Sequence, residues 1–473
     1  MKKISRRSFL AASGLLTASA ALTACGGNAS SGAVSGSTSS ETHEPITICA
    51  PMRDVGAFID VVHQHYPEIN FEVIPYAGLN GTAYMIDQLI SGELPDIYSS
   101  SIFTSEQRQS ELPDRLIDLA GYSFTNNYVQ ARLREVTEDG AIYLLPSYFS
   151  CIGITYNKKI LEDNGWELPK SMKEVEELAP KVREAGYNLC LNQLQFPGYG
   201  FQYLCNILDT GFLSTMEGRE WQNKFLDGEA TFAGTPEMVE NLQSLQRWRD
   251  LGMLNDSMGF VKDGDVAAEM AKENTLFMLG ATNDFSNFGG DNSHFGLMPY
   301  LSENGDQNVF ILNVTRFTGL SKKLEEPGNE QKLEDALHVM EIMSTVEGLE
   351  ALNANYKNAY IAPLKDAPVV EGNYFADILD QVNAGYTAPF IYSGWENMIV
   401  ADGNAMISFI RGETGLDELT VALDDSYKLV DDSSSLAFTT ATETISTEDC
   451  AKLVGIVFAE ASGADLALIS MNQ

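Results

Sequence analysis

The chain has 473 residues, which is too long for one ordinary domain and suits two domains that each bury a core. Acidic residues outnumber basic ones by 66 to 30, and the formal net charge is −36. This charge makes nucleic acid and anionic membrane surfaces poor partners on electrostatic grounds. We interpret the excess of acid as a source of solubility outside a cell rather than as a sign of a cationic ligand.

The N-terminus has the pattern of a bacterial export signal. Basic residues precede an apolar and small-residue stretch at 9–22, which is too short to span a membrane. Residues 22–25 read Leu-Thr-Ala-Cys, a lipobox, in which the cysteine is acylated and becomes the first mature residue. We therefore predict a lipoprotein signal peptide at 1–24 and a lipid anchor at Cys25. Ser-Arg-Arg-Ser-Phe-Leu at 5–10 also resembles the twin-arginine export signal.

A polar linker separates this signal from the folded part. Residues 25–44 are rich in Gly and Ser and predict a flexible tether. From Pro45 onward, short β-branched runs alternate with amphipathic helical segments. This alternation favours an α/β fold with a mostly parallel sheet that is covered on both faces.

Polar residues follow the third predicted strand, at 94–98. Open α/β sheets bind ligands at the carboxyl ends of their strands, so Ser99, Ser100, Ser101 and Phe103 are candidate ligand-binding residues. The same serines also suit the capped start of a helix, and the two interpretations carry equal weight.

A central stretch carries a second functional signal. We predict a strand at 141–145, a break at Pro146 and a further strand at 151–156. Tyr148 and Phe149 have no partner in a simple hairpin, so we expect both aromatic rings at a cleft.

The order of motifs around this stretch resembles one family. Tyr-x-Leu-Pro at 143–146, Tyr-Asn-Lys at 156–158, Gly-x-x-x-Pro at 165–169 and a Ser-x-x-Glu helix cap at 171–174 are together similar to the type 1 extracellular solute-binding proteins. These maltose-binding-like proteins serve carbohydrate ABC importers. The resemblance implies a periplasmic-binding-protein-like α/β fold with two lobes around a hinged cleft.

The resemblance also implies a division of the chain. Lobe 1 would comprise residues 45–150 with return segments from about 305–350, and lobe 2 residues 151–300 and about 351–430. Residues 431–473 form a C-terminal tail. Part of this tail, Glu-Ala-Ser-Gly-Ala-Asp-Leu-Ala-Leu-Ile, resembles the opening of a 5′-nucleotidase C-terminal domain but is too short for a catalytic unit.

Relatives in this family stack aromatic side chains on pyranose rings, because one face of a sugar is apolar. By this resemblance, the Gly/Pro/aromatic loop after the strand predicted from residue 188 supplies Phe196, Tyr199 and Phe201. Trp395 lies where relatives commonly place an aromatic that points into the cleft, and its sequence neighbours give it no core pattern. For Phe196, Tyr199 and Phe201 the alternative is packing in a lobe core.

The same comparison places polar residues at the cleft. Asn283 and Asp284 follow a predicted strand, and a carboxylate at Asp284 can accept two neighbouring sugar hydroxyls. It can equally cap a helix or close a turn. Ser150 stands where maltose-type relatives carry Glu, which leaves open another sugar or a ligand that is not a sugar.

Catalytic and metal-binding signatures were not found. The sequence lacks Gly-x-Ser-x-Gly, His-Glu-x-x-His and Gly-rich phosphate motifs, and its five His residues are scattered. We therefore predict no enzyme activity, no catalytic residue, no cofactor and no metal.

The cysteines leave one question open. An odd number of cysteines remains after Cys25, and buried free thiols are the favoured interpretation. Cys190 and Cys205 could pair. The cysteines whose pairing sequence does not decide are Cys49, Cys151, Cys190, Cys205 and Cys450.

These patterns predict the substrate-binding lipoprotein of an ABC importer. It would close on a carbohydrate or oligosaccharide and deliver it to the transmembrane subunits of a permease. One competing class is a cell-surface hydrolase acting on sugars or nucleotides, which the acidic composition and the nucleotidase-like tail motivate. The other is a ligand sensor that shares the fold.

Overall fold

The computed structural model describes most of the chain between residues 43 and 426. The described residues are 43–49, 55–75, 81–100, 110–133, 137–256, 268–279, 294–354, 360–369, 375–390, 392, 394–395 and 398–426, with the backbone alone at 81–83, 131, 138, 148 and 313–315. The predicted signal peptide, Cys25, Cys450 and the C-terminal tail lie outside these residues.

Two main sheets organise the described residues. The strands of the first sheet are β1 Ile46–Cys49, β2 Phe71–Val73, β3 Ile97–Ser100, β6 Leu145–Ile152, β11 Phe310–Leu320 and β12 Thr387–Pro389. They are ordered β12, β11, β3, β1, β2, and β6 pairs with the other edge of β11. A separate hairpin joins β4 Thr137–Glu138 to β5 Ala141–Ile142.

The first sheet has the parallel centre that the sequence predicts. β1 pairs in parallel with β2 and with β3. The backbone N–H and the hydroxyl of Thr47 both donate to Asp96, at 2.8 and 2.7 Å, and so fix the start of β3 against β1. Phe58, Val339 and Met340, from helices on this sheet, are buried in its core.

The second sheet is four-stranded and is ordered β10, β7, β9, β8. Its strands are β7 Ile154–Asn157, β8 Asn188–Asn192, β9 Thr275–Leu279 and β10 Phe295–Met298. A second large core lies on this sheet. The Trp248 side chain is 1% exposed within it.

Helices flank both sheets. They span Gly56–His65, Gly81–Ser91, Leu112–Arg115, Gln130–Leu133, Lys158–Asn164, Met172–Glu184, Pro197–Leu208, Met216–Leu226, Pro236–Leu251, Glu330–Met343, Val346–Leu352, Leu379–Asn383, Ile399–Ile410 and Leu416–Ser426. Short 3-10 segments are Ser123–Asn127, Phe212–Ser214, Lys322–Glu325 and Ala376–Ile378. Within the part of the chain described above, none of these helices has the length and apolarity needed to cross a membrane.

Helices Pro197–Leu208 and Ile399–Ile410 cross at very close range. A Cβ added to Gly200 would overlap the carbonyl oxygen of Gly403, and one added to Gly403 would overlap that of Pro197. Glycine is therefore required at both positions for this crossing.

The predicted break at Pro146 is wrong. Pro146 lies inside β6, opposite Phe317 of β11. Because no described strand pairs with the outer edge of β6 at this residue, the missing N–H of proline leaves the ladder intact. The interruption falls instead at Gly153, between β6 and β7.

The segment 351–430, which we predicted for lobe 2, contacts both sheets. β12 pairs in parallel with β11 of the first sheet, with Phe310 opposite Thr387. Helix Ile399–Ile410 instead packs against helix Pro197–Leu208 of the second core.

The described cysteines are free and buried. Cys49, Cys151, Cys190 and Cys205 form no disulfide, so the suggested Cys190–Cys205 pair does not occur in the structure. Burial raises the pKa of Cys49 to about 11, which makes its thiol unreactive at neutral pH.

Candidate functional site

The chain first passes between the two sheets at the end of β6, and residues 299–309 form a second passage from β10 to β11. β6 of the first sheet ends at Ile152, and β7 of the second sheet begins at Ile154. Gly153 lies between them, and a Cβ added there would overlap the carbonyl oxygen of Met298. The chain therefore makes this first passage through one glycine.

The carboxyl ends of the parallel strands in the second sheet meet this passage. β8 and β9 are parallel, with Asn192 opposite Leu279, and Leu279 is also paired with Ile154 of β7. The buried Tyr203 hydroxyl holds the two ends together, because it accepts from Gln193 N–H at 2.9 Å and donates to the Leu279 carbonyl at 2.7 Å.

In the first sheet, two strands end beside a gap. β3 pairs with residues 317–320 of β11, and β12 pairs with 310–312 along the same edge. Residues 313–316 have β6 on their other side but no strand partner on this edge among the described residues. Because β3 runs antiparallel and β12 parallel to β11, the carboxyl ends of both face this gap.

These strand ends define the candidate site. Pro146 of β6 is level with the end of β3, and Ile152 of β6 lies next to the passage between the sheets. The six-residue step from Pro146 to Ile152 corresponds to roughly 20 Å at the usual strand rise. Ligands of open α/β sheets bind outside the carboxyl ends of strands. The candidate site therefore lies along β6, between the strand ends of the first and second sheets.

Two predicted serines are strand residues. Ser99 and Ser100 belong to β3 and pair with Thr318 and Phe317, so neither begins a helix. Ser99 lines a small cavity inside the first core, together with Ile48 and other apolar side chains. Ser100 is fully buried at the last position of the strand, which leaves it nearer to the candidate site.

The aromatic pair on β6 has more partners than the sequence indicated. Tyr148 pairs with Arg316, and Phe149 exchanges backbone hydrogen bonds with Ile361 while also facing Val314. The Phe149 ring is fully buried in a third apolar cluster, so its predicted exposure at a cleft is wrong. For Tyr148 only the backbone is described.

The three aromatics after β8 are placed differently. Tyr199 and Phe201 lie inside helix Pro197–Leu208 and are buried in the second core, so neither ring presents a face to the site. Phe196 precedes that helix and is half-buried, and its ring stacks on the Tyr199 ring with 6.3 Å between the ring centres. Phe196 is thus the aromatic of this group that stands at the carboxyl end of β8.

Trp395 is a core residue in the structure. Its ring is 0% exposed and packs among Phe225, Phe232 and Tyr392, with ring centres 5.8, 6.5 and 5.5 Å away. The predicted placement in the cleft is therefore wrong. The sequence misled us because Phe225 and Phe232 come from a distant segment of the chain.

The other predicted site residues lie outside the described part of the chain. They are Ser101, Phe103, Asn283 and Asp284. Their roles remain predictions from the sequence.

Sequence reasoning missed two buried arginines near β6. Arg132 donates to the carbonyl of Ala362 and to Asn383 Oδ1, and its guanidinium lies 5.9 Å from the centre of the Phe149 ring. Burial lowers its pKa to about 10. Arg316 lies on β11 and is 2% exposed. A lone Arg in the apolar run Phe310–Leu320 was the signal that could have found Arg316.

Buried carboxyl groups mark the second core. The Tyr392 hydroxyl donates to Asp209, yet burial raises the pKa of Asp209 to about 7 against the opposing effects of that bond and of Arg219. Burial likewise raises the pKa of Asp402 to about 8. Among the residues that the structure describes, no group of three or more His, Cys, Asp or Glu side chains could hold a metal ion.

Comparison with known proteins identifies the fold. No family model matches the sequence. Among solved structures, the chain is similar to a family 1 extracellular solute-binding protein from Bifidobacterium longum subsp. infantis, with 16% identity, a TM-score of 0.64 and coverage of 81% of this chain and 99% of that one.

Two further structures show the same likeness. A probable secreted solute-binding lipoprotein from Streptomyces coelicolor is 14% identical, with a TM-score of 0.64 over 81% of this chain and 99% of that one. A sugar transporter from Bacillus licheniformis in complex with stachyose is 14% identical, with a TM-score of 0.57 over 82% and 100%. The chain therefore has the two-lobed α/β fold of the family 1 extracellular solute-binding proteins.

Proposed function

We propose that this chain is the extracytoplasmic substrate-binding protein of an ABC importer and captures a carbohydrate or oligosaccharide. One observation carries this proposal: strand ends of two sheets flank β6, in a fold shared with solute-binding proteins. Closure of the lobes would bury the ligand, and the ligand would stabilise the closed state by binding it more tightly. The protein would return its ligand unchanged.

The sugar assignment is supported by the neighbours and by one ring. A structure with this fold holds stachyose. Phe196 is half-buried at the carboxyl end of β8, where a pyranose could stack on it. Ser101, Phe103, Asn283 and Asp284 complete the proposed site as predicted from the sequence.

The N-terminal sequence supports attachment to the membrane. The lipobox at Cys25 would carry the lipid, and the Gly/Ser tether would let the folded part reach the permease. One neighbour is described as a probable secreted lipoprotein. Labelling with a palmitate analogue tests the anchor, since Cys25→Ala is expected to abolish the label.

Calorimetric titration of the purified chain tests the sugar assignment. The panel comprises mono- and oligosaccharides including stachyose, and each mixture is then searched for cleavage products. Saturable binding without products is expected. Phe196→Ala should weaken binding about tenfold, the effect of losing one stacking contact. Tyr187→Ala is a matched control, because Tyr187 is half-buried at the opposite, amino end of β8.

Two results would contradict the proposal. Failure to bind any glycan would remove the sugar assignment while leaving the fold intact. A cleavage product would show that the chain is a hydrolase.

A further inference from the structure

Arg316 is buried without a counter-charge. Its side chain is 2% exposed, and its Nε and Nη1 atoms have no hydrogen-bond partner among the described residues. No carboxylate among the described residues forms an ion pair with Arg316. The half-buried Arg247, by comparison, lies 2.6 Å from Glu176 and 3.4 Å from Glu303.

The position of Arg316 connects it to the candidate site. Ser100, the last residue of β3, pairs with Phe317, so Arg316 is the first residue of β11 beyond the end of β3. It borders the gap between β3 and β12. The ladder with β6 is irregular on both sides of Arg316, which itself faces Tyr148. Irregular pairing of this kind commonly re-aims a side chain next to a binding site.

A buried guanidinium in this state is costly. An ionised group that leaves water loses several kcal/mol unless it is paired and hydrogen-bonded. Arginine cannot escape this cost by losing its proton, because its intrinsic pKa is too high. The chain has 66 acidic residues, so the protein itself could supply a carboxylate partner for Arg316. Its absence among the described residues points to an anion that comes with the ligand.

We propose that Arg316 binds an oxyanion carried by the sugar, so that the ligand is an acidic glycan. The anionic group is a ring-borne carboxylate, as in a uronic acid, or a sulfate ester. Either one would accept charge-assisted hydrogen bonds from Nε and Nη1. This inference rests on the proposed function and names the substrate class of the same site.

Titration of the purified full-length chain with matched glycans tests the inference. Each set contains a neutral oligosaccharide, its uronate counterpart and its sulfated counterpart of equal length, such as galacto-oligosaccharides and oligogalacturonates. At least one acidic member is expected to bind about 10- to 100-fold more tightly than its neutral match, the range for hydrogen bonds to a charged group. The preferred member distinguishes carboxylate from sulfate.

Variants then assign the effect to this side chain. Arg316→Met should remove the preference for the acidic glycan, so that the acidic and neutral members of each set bind alike. Arg316→Lys keeps the charge but loses the planar set of donors, so an intermediate preference is expected, and it serves as the test if Arg316→Met does not fold. Arg247→Met, on the surface, is the control and should bind like the parent chain.

The outcomes separate the inference from the proposed function. Equal binding of neutral and acidic glycans, or an acidic preference that survives both Arg316 variants, would overturn the role of Arg316 and leave sugar binding standing. If no glycan of either kind binds, the proposed function itself fails.

Discussion

The two cores differ in the ionisable groups that they bury. Beside β6, the surroundings of the first sheet bury the guanidinium groups of Arg132 and Arg316. Asp335, on helix Glu330–Met343, is buried there too but pairs with His43 at 2.9 Å. The second core buries the carboxyl groups of Asp209 and Asp402, which lie close enough to Cys205 to raise the pKa of its thiol further. Neither set is neutralised by ion pairs in the way that the exposed charges are.

The difference between the cores lies in how each group can avoid being charged. A carboxyl group takes up a proton, and the raised pKa values of Asp209 and Asp402 show that burial favours this neutral form. A guanidinium remains charged at every physiological pH. We therefore expect the acid-containing core to respond to pH and the arginine-containing region to respond to anions.

The largest effect is expected at Trp395, which packs among aromatic side chains of the second core. Trp395→Ala should lower the free energy of unfolding by about 3–5 kcal/mol, the cost of a large cavity. Phe196→Ala, which removes a half-buried ring, should lower it by less than about 2 kcal/mol. Urea unfolding measures both. A stable Trp395 variant with weakened sugar binding would restore Trp395 as a ligand contact.

The next effect concerns pH. Asp402 has a folded-state pKa above its unfolded value, so its contribution to stability is fully present below about pH 4 and is lost as pH rises through about 8. Between these two pKa values the free energy of unfolding falls by about 1.4 kcal/mol per pH unit for each such group. Asp402→Asn should remove about 3 kcal/mol of the decline in unfolding free energy between about pH 5 and pH 7.

Urea unfolding at several pH values checks this expectation. The Asn variant should be more stable than the parent chain at about pH 8, because it mimics the protonated acid. The exposed Asp163 offers a control, since Asp163→Asn should leave the slope unchanged. An Asp402 variant with the parental slope would show that the carboxyl group ionises without cost.

The smallest effect is expected at Arg132. Arg132→Met leaves the Ala362 carbonyl and Asn383 without their donor but also removes a buried charge, so the two contributions oppose each other. The unfolding free energy should change by about 1 kcal/mol or less, with no new slope between about pH 5 and pH 8. If the effect of Arg132→Met on the unfolding free energy varied with pH, the arginine-containing region would also respond to pH, contrary to the contrast drawn above.

Local patterns in the sequence were enough for much of the fold. The Ser171 hydroxyl accepts from Glu174 N–H at 3.2 Å, so the predicted cap starts helix Met172–Glu184 as expected. The strand predicted from residue 188 is β8 Asn188–Asn192. These features depend on neighbouring residues alone, and sequence reasoning handles such interactions well.

Features set by distant contacts were harder to predict. Pro146 stays in its strand because no described strand pairs with the outer edge of β6 at that residue. Trp395 is buried because Phe225 and Phe232 reach it from another segment. Ser99 and Ser100 are held in β3 by pairing with β11, more than two hundred residues later. None of these contacts leaves a periodic signal in the sequence.

The connection between the sheets has a mechanical consequence. Ile152 pairs with Ile311 and Ile154 with Met298, so β11 and β10 lie beside the chain on either side of Gly153. Residues 299–309 join these two strands and form a second connection between the sheets. A change in the angle between the lobes would therefore bend both connections together, because backbone hydrogen bonds hold them side by side on either side of Gly153.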